Sequence, residues 1–355
     1  MVQNWFAKIL LMPFSVVYGV VISSRNLFYE TGLLKATKFN IPVISIGNLT
    51  IGGAGKTPHV EFLIRKFIPY LNLGTISRGY KRKTKGFRYV ERTNNALEVG
   101  DEPLMYKRKY PELTVVVSES RALAVPLMLK THPRLEGIIL DDAFQHKEII
   151  PGLNILLTTF SSPFTKDFLL PAGRLREFRR AYTRADIIIV SKCPNDLEIS
   201  EMENLKKEIN PLQHQRIFFT YYNYFSPYSF YNPSQRLKLD QSLDVILISA
   251  IADTEYLIHY LEEKVGSLHE LSYEDHHIFL ERDINYLNQV FENRDTLNKI
   301  IITTEKDAMR LDILRKQISD YKLPIFILPV EVKFLFNQED EFEALIRSFF
   351  LNFKV

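Results

Sequence analysis

The sequence predicts an α/β protein: a doubly wound, mostly parallel sheet built around a phosphate loop, with a second, smaller α/β lobe and an N-terminal interfacial helix. Three observations carry this reading. Short runs rich in Ile and Val alternate with stretches of helical character. A glycine-rich segment ending in Gly55-Lys56-Thr57 follows the first of these runs. An uncharged run of 14 residues, Ile9 to Ile22, precedes them all.

That N-terminal run falls short of the about 20 residues that a spanning helix needs, and Pro13 and Gly19 weaken a straight span further. Ser23-Ser24-Arg25 is not a small-x-small cleavage site. Two readings stand side by side. One is a buried first helix. The other is an interfacial helix, with Trp5, Phe6, Phe14 and Tyr18 at headgroup level and Lys8 and Arg25 toward phosphates. The first strand is Ile41 to Gly47. Others follow at Gly74–Ser77, Leu113–Ser118, Gly137–Leu140, Leu153–Leu157 and Asp186–Val190. Between them, Val60–Leu71, Glu102–Lys109 and Arg121–Leu129 read as helices. Later, Val245–Ser249 and Ile300–Thr304 open further βα units. The polar, aromatic, turn-rich stretch from Tyr221 to Leu239 marks a lobe boundary, and Ser191 to Asp196 offers an earlier one. The expected division is 1–27 for the interfacial helix, 28–195 for the phosphate-loop domain and 196–355 for the second lobe.

Bulk properties agree with two folded lobes. The 355 residues exceed what one core usually holds. Hydrophobic residues at 46% and charged residues at 25% exclude wholesale disorder. A net charge of +3 does not by itself call for nucleic acid. The single cysteine, Cys193, excludes an intramolecular disulfide and reads as a packed core residue.

The strongest local signal is Gly47 to Pro58, GNLTIGGAGKTP. It sits after an expected strand and before an expected helix, the context a phosphate loop requires. Gly52, Gly53 and Gly55 let the backbone wrap closely and aim N–H groups at phosphate oxygens. The helix N-terminus near Thr57 adds partial positive charge. Lys56 would reach the β- and γ-phosphates, and the Thr57 hydroxyl would ligate Mg²⁺. Thr50 stands where the common pattern has its first glycine, so the strict motif fails while its core persists. This makes the fold one of P-loop NTPase type.

Gly137 to His146, GIILDDAFQH, is an apolar strand ending in two carboxylates. Asp141 and Asp142 there can hold Mg²⁺ directly or through water; a plain Asp-rich turn is the bland alternative. Val99 to Pro103, VGDEP, supplies Asp101 and Glu102 at a helix start, where an N-cap is the simple reading. As a catalytic element, Asp101 would accept a proton from an attacking hydroxyl, with His146 orienting it or sharing the proton. Two basic segments, Arg78–Arg88 and Leu170–Arg184, read as solvated loops, as nucleic-acid contacts, or as a site for an anionic phosphorylated lipid.

Taken together, GNLTIGGAGKTP, SRGYKRK, GDEP, LDDAFQH, LPAGRLRE, EDHHIF and TTEKDAMRL, in this order from Gly47 to Leu311, resemble the tetraacyldisaccharide 4'-kinase family of lipid A biosynthesis. The resemblance implies transfer of the ATP γ-phosphate to the 4'-hydroxyl of a tetraacylated glucosamine disaccharide 1-phosphate, an anionic acylated lipid, giving lipid IVA. It implies a monotopic protein at the cytoplasmic face of the inner membrane, with ATP and Mg²⁺ as cofactors. Carried over by position, Thr50, Ile51, Gly52, Gly53, Ala54, Gly55, Lys56 and Thr57 would hold ATP. Thr57 with Asp141 or Asp142 would serve Mg²⁺, and Asp101 would be the general base in a dyad with His146. Glu102, Arg78, Arg121, Gln145 and Arg174 would support metal, phosphates or substrate. His276 or His277 (the latter preferred) would approach the nucleotide as the lobes close. Ala143 and Arg174 depart from residues common in the family, glycine and proline, and bear on loop shape. The expected assembly is a monomer without a nucleic-acid partner. The alternative is a membrane-associated P-loop ATPase or GTPase switch lacking a small-molecule acceptor, although Ile51 stands where such partitioning ATPases carry lysine.

Overall fold

The computed structural model describes residues 5–353, with side chains from Ala7 onward. The described chain forms two compact units that are discontinuous in sequence. The first comprises the residues up to Arg78, Leu113–Tyr222 and the stretch from Val332. The second comprises Gly79–Glu112 and Asn223–Glu331. The expected single cut near residue 195 therefore does not describe the contacts. In particular, the segment carrying Asp101 and Glu102, expected in the phosphate-loop domain, packs within the second unit. Ion pairs from its acidic and basic residues hold it there: Lys306 lies 3.1 Å from Glu102, Lys109 2.8 Å from Glu305, and Arg108 2.8 Å from Asp312.

In the first unit the strands are β1 (Val43–Asn48), β2 (Leu73–Ser77), β3 (Thr114–Val117), β4 (Gly137–Asp141), β5 (Leu153–Thr159), β6 (Ile187–Ser191) and β7 (Arg216–Tyr224). They lie in the order β7-β6-β5-β1-β4-β2-β3, with the strand Val330–Phe334 beyond β7. Each neighbouring pair from β7 to β3 is parallel. Every residue of β1, β2, β4 and β6 is buried, as a parallel sheet covered on both faces requires. The chain leaves β1 toward β2 and β3, returns to β4, then crosses to β5 on the other side. That reversal makes β1 the switch point, where doubly wound sheets open a ligand crevice at their carboxyl ends. Register fixes the chemistry there: Ile46 pairs with Asp141, and Gly47 with Leu156. A Cβ on Gly47 would lie 2.7 Å from the Phe144 nitrogen, so only glycine lets the loop after β4 approach so closely.

The first helix, Trp5–Glu30, is 26 residues long and includes Pro13. It extends well beyond the 14-residue uncharged run, and by length and composition it could cross a membrane. One face is tied to the loop after β5. The Ser15 hydroxyl donates to the Leu169 carbonyl (3.0 Å) and accepts from the Ala172 N–H (3.0 Å), and the Tyr18 hydroxyl donates to the Arg176 carbonyl (2.9 Å). The opposite face exposes Leu10, Phe14, Val17, Val20 and Val21. The Trp5 and Phe6 side chains, expected at headgroup level, lie outside the described ones.

The second unit is built on β8 (Asp244–Ser249), β9 (Ser267–Ser272), β10 (Lys299–Thr304) and β11 (Ile325–Leu328). Their order is β9-β8-β10-β11, all parallel, with the short strand Tyr228–Ser229 antiparallel on β11. Ile246, Ile248, Ile301 and Ile325 pack against Ile284 and Leu287 of helix Glu281–Glu292 and Leu311 of helix Glu305–Leu311.

Candidate functional site

In the first unit, the phosphate loop grows out of the carboxyl end of β1. Asn48 organises its start: its amide donates to the Thr50 carbonyl (2.5 Å), and its side-chain oxygen accepts from Lys56 Nζ (3.0 Å). Residues 49–51 are pinned by a second segment, with the Ile51 N–H donating to Arg174 O (2.8 Å) and the Arg176 N–H to Leu49 O (2.7 Å). The loop turns through Gly52 (φ +112°) and Gly55 (φ +79°), a conformation L side chains rarely adopt. A Cβ on Gly55 would also collide with the Tyr222 hydroxyl. The helix Lys56–Phe67 begins close to the expected N-terminus near Thr57, and lies four residues earlier at both ends than the expected segment Val60–Leu71. Its N-terminus thus faces the loop's concave side, an arrangement that favours bound anions. Thr50, Ile51, Gly52, Gly53, Ala54 and Gly55 form the loop, and Lys56 and Thr57 the first helical residues after it.

The carboxylates sit at the end of β4. Asp141 is buried in the strand, and Asp142 follows in a left-handed conformation (φ +48°). Arg176 Nη1 lies 2.9 and 3.1 Å from the Asp142 oxygens, and Lys56 Nζ lies 3.5 Å away. Burial alone would raise the Asp142 pKa, but Lys56 and Arg176 outweigh it and hold the carboxyl below its usual range. Gln145 bridges loop and carboxylate: its amide donates to Asn48 O (2.9 Å), and its oxygen accepts from Arg176 (3.3 Å). Arg121 is 5% exposed and opens the helix Arg121–Thr131. It donates to His146 Nδ1 (3.2 Å), while its Nε has no partner among the described residues. Burial first, then the charges of Arg121, Arg25 and Arg78, push His146 down to about 4, so its ring is neutral at neutral pH. A buried guanidinium with an unmet N–H, beside Asp142, Asp141 and Arg78, can donate to a phosphate oxygen.

Arg174 is not part of this group. It is exposed, and its guanidinium is committed to Asp167 at 2.9 Å. The arginine at the acidic centre is Arg176, two residues further along the same LPAGRLRE segment. Strand alternation about the Thr50–Leu175 bridge puts positions 174 and 176 on one face, so it does not distinguish the two; the contacts made by each guanidinium do.

The second unit holds its own buried ionic cluster. Asp101, 4% exposed, opens the helix Asp101–Lys109. Its Oδ2 lies 3.0 Å from His276 Nδ1 and 3.5 Å from Arg310 Nε. His276 Nε2 lies 3.0 Å from Lys306 Nζ. The ammonium can only donate, so Nε2 accepts and Nδ1 carries the proton it gives to Asp101. Burial would raise the Asp101 pKa, but Lys306, the His276 hydrogen bond and Arg310 together drive it well below the carboxylate range. The imidazole bonded to Asp101 is thus His276, whereas the sequence named His146, a residue of the first unit. Glu102, expected near metal, is paired with Lys306. His277, expected near nucleotide, bonds Asp283 at 2.8 Å and stacks on Tyr273. Lys306 and Arg310 were missed as site residues, although both lie in the TTEKDAMRL segment.

The profile of the family described as tetraacyldisaccharide-1-P 4'-kinase matches residues 7–350. The chain belongs to this family. Curated relatives called tetraacyldisaccharide 4'-kinase are similar along nearly their whole length. One from Porphyromonas gingivalis is 39% identical over 341 residues, covering 94% of each chain. One from Flavobacterium psychrophilum is 37% identical, covering 97% of each. A crystal structure of LpxK from Aquifex aeolicus in complex with ATP superposes with a TM-score of 0.73 at 30% identity, covering 97% of this chain and 99% of that one. Membership makes the chain a phosphotransferase with a sugar alcohol as acceptor, and the switch reading without an acceptor has no support.

Proposed function

We propose that the chain transfers the γ-phosphoryl group of ATP to the 4'-hydroxyl of a tetraacylated glucosamine disaccharide 1-phosphate. The observation that carries this reading is the cationic cradle of the first unit, in which Lys56, Asn48 and the ionised Asp142 meet at the loop after β1. Residues 50–57 would wrap the phosphates, with Lys56 moving from Asn48 onto the β- and γ-oxygens. Mg²⁺ fits the donors present: the Thr57 hydroxyl and the carboxylate of Asp141 or Asp142. Among the described residues no three acidic, His or Cys side chains form a metal cluster. Mg²⁺ usually takes one or two carboxylates and completes its shell with phosphate and water. Bound there, Mg²⁺ would neutralise charge on the β- and γ-phosphates. Arg121 offers its unmet N–H to a phosphate oxygen.

Asp101 is the group that takes the proton from the acceptor hydroxyl. The cations around it keep it ionised, and His276 fixes the orientation of its Oδ2. A carboxylate held this low is a weak base at equilibrium. Its action fits a transition state in which the hydroxyl proton leaves late, after the phosphoryl group has begun to transfer.

The acceptor is an anionic lipid, and the first helix is the element that meets its membrane. The hydrogen bonds of Ser15 and Tyr18 would be lost if this helix left the loop to cross a bilayer, which favours a helix lying in the interface, at the cytoplasmic face. The test is transfer of labelled γ-phosphate to detergent-dispersed tetraacyldisaccharide 1-phosphate. Phosphorylation at the 4' position is expected. Acceptor-independent ATP hydrolysis as the sole activity of folded protein would refute the assignment.

A further inference from the structure

The phosphate loop is held from behind by two side chains that grip consecutive carbonyls. The Ser191 hydroxyl, at the end of β6, donates to the Ala54 carbonyl at 2.9 Å. His59, in the first turn of the helix Lys56–Phe67, places Nδ1 2.7 Å from the Gly55 carbonyl. Its Nε2 lies 3.0 Å from the Thr220 hydroxyl of β7. A carbonyl can only accept, so Nδ1 carries the proton; Nε2 is then the acceptor and the Thr220 hydroxyl the donor. The ring is 3% exposed, and burial holds it neutral down to about pH 4. In a phosphate cradle the N–H groups line the concave side, so carbonyls must be turned outward and satisfied there. Gly55 is the left-handed residue at which this reversal happens.

We infer that His59 is a positioning residue for the nucleotide: through the Gly55 carbonyl it sets the orientation of the last peptides of the phosphate loop, with Thr220 fixing its tautomer from β7. This rests on the reading that residues 50–57 hold ATP. Ser191 supports the preceding peptide in the same way. Removing the imidazole donor would leave the Gly55 carbonyl with only the longer His59 N–H bond at 3.4 Å, so the peptide would be held less firmly and the loop would meet the triphosphate with less well directed N–H groups.

The test compares three substitutions, reading Kd for ATP with Mg²⁺ by calorimetry, KM for ATP, KM for the acceptor, and melting temperature. His59→Asn keeps a donor at the Nδ1 position but removes volume. His59→Leu keeps volume but removes the donor. His59→Gln carries its donor at the Nε2 position, pointing toward Thr220. The expected outcome is ATP affinity about tenfold weaker in His59→Leu and His59→Gln, within about threefold of the parent in His59→Asn, and an unchanged acceptor KM. A residue that only filled space would give the reverse order, since Leu packs better than Asn; that order, or parental ATP affinity in His59→Leu, would overturn the inference. Should His59→Leu fail to fold, the Asn and Gln pair still separates donor position from volume, and equal affinity in those two would count against it. Lys56→Met is the control for the underlying reading. If it binds ATP like the parent, the loop is not the nucleotide site; if it loses ATP while His59→Leu does not, only the role of His59 fails.

Discussion

Replacing Phe14 and Val17 together by glutamate tests whether the first helix is a membrane seat. Both side chains lie on its outward face, at 63% and 64% exposure. Burying a Phe or Val completely is worth about 1.5–3 kcal/mol. Scaled by the exposed fraction, each contributes about 1–2 kcal/mol on entering the acyl boundary, or roughly 2–4 kcal/mol for the pair. At 1.4 kcal/mol per decade, that corresponds to a partition coefficient lower by about 30- to 700-fold, before the added charge is counted. Ser15 and Tyr18, whose hydroxyls dock the helix on the protein, are retained in the variant. The assay is co-sedimentation with vesicles of phosphatidylethanolamine and phosphatidylglycerol, alongside kinase activity on detergent-dispersed acceptor. Vesicle binding should collapse while detergent activity stays within about twofold, since nothing in the phosphate loop changes. Tyr70→Glu serves as the control: Tyr70 is 76% exposed in the same unit but lies outside this helix, so vesicle binding should persist. Undiminished partitioning of the double variant, or equal loss in the control, would refute the reasoning.

Two further outcomes are expected. Asp101→Asn should lower kcat by about 10²- to 10⁴-fold while ATP still binds, because proton removal is lost and the phosphate cradle is intact; a kcat within tenfold of the parent, measured on folded protein, would remove Asp101 from the chemistry. His59 should make the protein acid-sensitive. Its folded pKa of about 4 lies below the ordinary 6.5, so the unfolded chain takes up the proton first as pH falls. The contribution is fully present above pH 6.5 and is lost between 6.5 and about 4, amounting to about 3 kcal/mol. Urea denaturation at stepped pH should show the parent losing this much relative to His59→Asn, and parallel curves would contradict it.

The local chemistry of this protein was legible in its sequence because it is written in short segments. A β-strand followed by glycines and Lys56-Thr57 can do little but turn tightly into a helix. An apolar strand ending in Asp141-Asp142 presents those carboxylates at its carboxyl edge whatever lies beside it. β1 to β6 were readable for the same reason, since mostly buried parallel strands read as short apolar runs, whereas the two-residue strand Arg88–Tyr89 was not. β7 was not, because its sequence RIFFTYYNY mixes arginine, asparagine and tyrosines, and only pairing with β6 makes it a strand. The return of the segment from Val332 to the first unit was equally invisible.

What only the tertiary structure decided is which charges meet. Asp101 was recognisable as a candidate base, but its imidazole lies 175 residues away at His276, and its cations come from Lys306 and Arg310. Arg176 and Arg174 sit in one motif, yet one reaches Asp142 and the other Asp167. Sequence spacing fixes geometry only within a turn or two of helix or along one strand. Beyond that, the pairing of buried charges is set by long-range packing, since a carboxylate withdrawn from water must find its partner wherever the fold brings one.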